Sequence, residues 1–167
     1  MAKYNELQKS IQDYGRAAFE NMCLCRHFAE TLAKGMPGYL DCDPSLVALV
    51  PAEGPFDPKR VYGDEAFSFH GAKVIALAPI QFGVSLVAKN PQDDEALWLR
   101  ARVSVEVVGG MFVTFIGFQR KLEIPTDEVN FEKVYERIYK EYLDTFKKEV
   151  DEYRSDRLKT GIGFVAG

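Results

Sequence analysis

Apolar side chains recur at three- and four-residue steps from the start of the chain: Tyr4, Leu7, Ile11, Tyr14, Ala18, Cys25, Phe28 and Leu32, with Asn21 the single polar member of the series. Positions so spaced share one stripe of a 3.6-residue helix, so the spacing predicts an amphipathic helix over residues 3–34. Gly35, Pro37 and Gly38 follow and are read as its stop. Phe19, Met22 and Leu24 lie beside the stripe, which implies packing on more than one surface.

Residues 36–65 form a Pro-rich segment, with Pro37, Pro44, Pro51, Pro55 and Pro58. Within it, Asp43-Pro44 suits the start of a short helix, while Leu46 to Val50 suits an edge strand; the run is too short for periodicity to decide. A sheet is expected over 66–124. Phe67 and Phe69 alternate with small or polar neighbours, Lys73 to Ala78 is a short apolar run, and Phe82, Val84, Leu86 and Ala88 alternate as in a half-buried strand. Two long strands follow, Leu97 to Val108 and Met111 to Ile124, with Gly109-Gly110 as the two-residue loop between them. A helix over 127–158 carries the stripe Phe131, Val134, Tyr135, Ile138, Tyr142, Phe146, Val150 and Tyr153. The glycine-containing tail, 160–167, reads as mobile, or as a short strand if an edge is offered to it. The expected architecture is therefore one α+β domain over 1–167, an antiparallel sheet of four or five strands with a long helix before and after it.

The two-residue loop also sets a register, with Val108 opposite Met111. One face of the hairpin is then apolar (Leu97, Leu99, Ala101, Val103, Val105 and Val107 opposite Phe112, Thr114, Ile116, Phe118, Arg120 and Leu122) and belongs under the helices. The other face carries Trp98, Arg100 and Arg102 together with Phe115, Gln119 and Lys121, with Trp98 opposite Lys121 and Arg100 opposite Gln119. Tryptophan and arginine are enriched where proteins bind one another. Three uses of this face stay open: cover by the Pro-rich loop or the tail, an interface with a second copy or another protein, and an anion or nucleic-acid surface.

Charge bears on that choice. The formal net charge of the 167 residues is −4, which argues against a protein coating nucleic acid through bulk charge. No run of about 18 or more apolar residues appears, so no membrane span is expected, and the polar start lacks a signal-peptide core. Three cysteines, an odd number, suit a reducing compartment, and a cytoplasmic location is expected.

Candidate chemistry is sparse. Cys23 and His27 can share one face of a helix, but Cys25 cannot join them, because positions two apart point about 200° away from each other. No metal and no cofactor are expected. Gly-rich phosphate loops, nucleophile elbows and paired C-x-x-C motifs are absent from the sequence. His70 lies at a strand end or turn where a base could act, and Arg120 on the core face must find a carboxylate or reach water. With Thr114, these are the polar residues a pocket between sheet and helices would use. The sequence therefore points first to a non-enzymatic, self-associating accessory or regulatory module, a homodimer or the partner of another protein. The alternative is a binding domain for a small apolar ligand, or an enzyme, using a sheet–helix cavity.

Overall fold

The computed structural model describes residues 2–93 and 95–155, and a backbone strand at 163–165. Its elements in chain order are α1 (Ala2–Leu40), β1 (Val47–Val50), β2 (Ile80–Lys89), β3 (Ala96–Val108), β4 (Met111–Ile116), β5 (Leu122–Pro125), α2 (Glu132–Arg154) and β6 (Gly163–Val165). The strands lie in the order β1-β2-β3-β4-β5 with every neighbour antiparallel, and β6 pairs with the first residues of β3. The fold is α+β, as the segregation of helical and strand patterns implies. No helix among the described residues is long and apolar enough to cross a membrane.

Both helices lie on one face of the sheet. There α1 packs on β1, β2 and β3, and α2 packs on β3 and β4. Phe28, Leu32 and Met36 of α1 and Val134, Ile138 and Tyr142 of α2 meet Phe82, Val84, Leu99, Val103, Val105 and Ile116 in one continuous core. Each such side chain contributes about 1.5–3 kcal/mol through the apolar area it loses to water. Phe28 also stands 4.7 Å from Phe112 and 5.2 Å from Phe131, joining the first helix, the sheet and the residue that precedes the second helix at one point. The Tyr142 hydroxyl is buried with them and donates to the Val84 carbonyl at 2.8 Å.

The hairpin register is the one the Gly-Gly loop implies: Val108 faces Met111, and Gly109 and Gly110 have φ of +56° and +78°. The strand after it is not continuous to residue 124. It stops at Ile116, where Gly117 takes φ of +55°. Its N–H donates to the Arg102 carbonyl at 2.9 Å, and the chain turns back to form β5, with Leu122 opposite Thr114. The pairings expected for Trp98 with Lys121 and Arg100 with Gln119 are therefore not made.

Three other boundaries differ from expectation. First, α1 runs through Pro37 to Leu40, because Met36 and Pro37 are buried and Tyr39 packs on Tyr135 at 5.5 Å; it stops at Asp41, whose φ is +55°. Second, residues 67–79 form turns in place of strands. Phe67 is buried against Phe69 and Phe82, but Val74 and Leu77 are exposed, so the apolar run there has no sheet to join. Third, α2 begins at Glu132, whose N–H is accepted by the Asn130 side chain at 3.0 Å; its expected end at 158 lies outside the described residues. Around residues 44–50 both alternatives occur in succession, a 3-10 turn at Pro44–Leu46 capped by Asp43 and then β1.

Candidate functional site

The first surface left uncovered is the beginning of α1. Residues 2–16 are all exposed, and the first fully covered stripe residue is Ala18. Tyr4, Leu7, Ile11 and Tyr14 continue the seven-residue repeat that Ala18, Asn21, Cys25, Phe28 and Leu32 use to dock on the sheet, yet they are 47–69% exposed. The overhang is about 22 Å long at 1.5 Å per residue. Its stripe is flanked by Lys3, Gln8, Ser10, Gly15 and Ala17, of which only Lys3 is charged, while Glu6, Lys9, Asp13 and Arg16 project from the far side at 100° per residue. At its base the Tyr14 hydroxyl accepts the Leu77 N–H at 2.9 Å, which places exposed Leu77 beside the stripe.

The second surface is the outer sheet face with Trp98, Arg100, Arg102 and Phe115. The Pro-rich loop folds onto part of it. Arg100 donates to the carbonyls of Pro51 (3.0 Å) and Gly54 (2.8 Å) and lies 4.7 Å from the Phe56 ring. Burial there draws the Arg100 pKa down, and nearby Glu53 opposes the shift. Arg102 pairs with Glu53 at 2.8 Å. Gly83 makes this possible, since a Cβ there would stand 2.8 Å from the Arg100 side chain and 3.0 Å from the Pro51 carbonyl. Trp98 is half-buried, in register with Val87 on one side and Gly163 on the other, and Phe115 is exposed. Gln119 and Lys121 do not join them. Gln119 sits in the β4–β5 turn and donates to the Arg137 carbonyl at 2.7 Å and the Glu141 carboxylate at 2.9 Å, while Lys121 pairs with Glu123 at 2.9 Å.

The polar residues suggested for a pocket are not brought together. His70 and Arg120 are exposed, and Arg120 belongs to the turn after Gly117, so it is not on the core face. Thr114 is fully buried on that face, and its hydroxyl has no hydrogen-bond partner. Cys25 is buried, with its thiol pushed up to about 12 by desolvation and by Glu106, whereas Cys23 is exposed. No group of three or more His, Cys, Asp or Glu residues is placed to hold a metal ion among the described residues.

The third surface is a groove of about 1130 Å³ along the free edge of β1. Its walls are the last turns of α1 from Glu30 to Pro37 and the loop from Pro58 to Gly63, with Lys89 and Ala96 at one end. Sequence reasoning placed Leu46 to Val50 as one alternative for an edge strand but did not find the groove. Its side chains come from segments far apart in the chain, and no local spacing announces them.

No protein-family model, curated protein or solved structure matches this chain.

Proposed function

We propose that this chain is a non-enzymatic interaction module that works as a homodimer, two copies pairing through the exposed first half of α1. The observation that carries this is the continuity of the stripe: the repeat that buries Phe28 and Leu32 at one end presents Tyr4, Leu7, Ile11 and Tyr14 to water at the other. Isolated helices of about 12–15 residues are marginal in water, and this overhang has little of its own fold to lean on. Pairing two such stripes covers both at once, in the manner of a short coiled coil. The flanks carry a single charge, at Lys3, and Ser10, Gly15 and Ala17 let the helices approach closely.

Sedimentation at micromolar concentration should give a species of twice the 18.9 kDa chain mass. The double variant Leu7→Glu/Ile11→Glu should weaken self-association by a hundredfold or more, ~2.7 kcal/mol, with thermal unfolding of the remaining domain cooperative. A wild-type chain sedimenting only as a monomer under these conditions overturns the proposal.

A further inference from the structure

We propose that the groove beside β1 binds an extended, acidic peptide of a partner protein, which adds to the sheet as a strand next to β1. The site and its occupant are separate from the pairing of α1 helices, and neither depends on the other. Strand addition needs an open edge, and the alternation of hydrogen bonding shows that β1 has one. The Gln81 carbonyl bonds Ser68 on the β1 side of β2, so by the two-residue period Gly83 and Ser85 also face β1 and pair with Val50 and Ala48. Val47 and Leu49 therefore direct their backbone groups the other way. The Val47 N–H is taken by the Pro44 carbonyl, and the Val47 carbonyl and both groups of Leu49 are left to the groove.

The volume and charge then narrow the occupant. At about 1130 Å³ the groove exceeds the ~300–1,000 Å³ usual for small-molecule sites. It runs along a strand of four residues, about 13 Å at the usual rise. Lys34, Lys59 and Lys89 line it and make no ion pair among the described residues, although the chain as a whole is acidic. The acid on the same wall, Glu30, is outnumbered by these lysines; it lies 3.9 Å from Arg26, which also pairs with Asp64. A strand laid beside Leu49 gains backbone hydrogen bonds, and acidic side chains flanking its apolar positions meet the three lysines.

The probe is a fluorescein-labelled octapeptide alternating valine and threonine, with two glutamates at each end, followed by fluorescence polarisation. A matched peptide with lysines at the ends, and an acidic one N-methylated at alternate backbone nitrogens, serve as comparisons. The acidic peptide should bind saturably and at least tenfold more tightly than either. The exposed double variant Lys34→Glu/Lys89→Glu should weaken it at least tenfold with unchanged thermal unfolding. No saturable binding at millimolar peptide, or equal affinity for acidic and basic ends, overturns the proposal. So does equal affinity of the N-methylated peptide, which would mean a mode without strand addition. If the charge-reversed variant changes the sedimenting mass, the edge belongs to a second copy and the peptide proposal fails.

Discussion

Asn21 interrupts an otherwise apolar helical stripe, and its surroundings explain why a polar residue is tolerated in the core. Strand β2 begins opposite Val105, so the Val107 N–H lies beyond the ladder. Asn21 accepts it at 2.8 Å and donates its own amide to the Ala78 carbonyl at 3.1 Å. Thr114 is the opposite case, a buried hydroxyl with no partner. Thr114→Val keeps the shape and removes the unsatisfied group, so it should leave stability unchanged or raise it by about 1 kcal/mol, read from the urea midpoint. Cys25 makes stability depend on alkaline pH. Its thiol is raised from 9.0 to about 12 in the folded chain, so both states hold the proton below pH 9 and only the unfolded state loses it above. Stability should be level up to about pH 9 and then fall by about 1.4 kcal/mol per pH unit for each such proton until the folded thiol ionises. The Tyr142 hydroxyl, pushed up from 10.0 by burial, adds to the fall at higher pH. Urea midpoints from pH 8 to 11 should decline less in Cys25→Ala than in wild type; equal slopes would assign the effect elsewhere.

Among the elements, the two hairpins of the β3–β5 unit show how little separates a turn from a continued strand. Gly109 and Gly110 have open space where a Cβ would go, so their cost to substitution is conformational and not steric. Left-handed backbone costs a side-chain-bearing residue about 1–2 kcal/mol, more for β-branched types. Replacing both by valine should therefore lower stability by about 2–4 kcal/mol in urea titration, while Gly109→Asn should be tolerated far better. An unaffected midpoint would mean the turn is not held as described. Gly117 has the same backbone requirement, and the turn it opens is tied to α2 through Gln119, which donates to the Arg137 carbonyl and the Glu141 carboxylate. In α1, Pro37 has no N–H to give the Ala33 carbonyl, yet burial of Met36 and Pro37 carries the helix one turn further.

For the whole molecule, the two helices and the sheet close one core, and among the surfaces they leave open are the first half of α1 and the outer edge of β1. If α1 pairs two copies, unfolding becomes bimolecular and the melting temperature should rise with protein concentration by mass action. The Leu7→Glu/Ile11→Glu variant should lose that dependence while keeping its groove. The loop clamp on Arg100 and Arg102 places part of the outer face within the chain, leaving Trp98 and Phe115 at its uncovered rim.

The sequence by itself determined the features that depend on near neighbours. Three-to-four spacing determined both helices, period-two alternation determined the inner face from Leu99 to Val107, and a Gly-Gly pair determined the register at Val108 and Met111. It also exposed the repeat from Tyr4 to Leu32, though not where along it the cover ends. Only the tertiary structure decided that the stripe's first half is open, because that depends on how far the sheet reaches under the helix. Gly117 was visible as a glycine in an apolar run. Whether it bulges, continues or turns was set by Arg102 and Glu141 from other elements. The run 73–78 has strand-like composition but no neighbour to pair with, and pairing, unlike helix hydrogen bonding, must be supplied from elsewhere in the chain. The groove beside β1 was least legible of all: Lys34, Lys59 and Lys89 are separated by dozens of residues, and only the fold brings their charges to one edge.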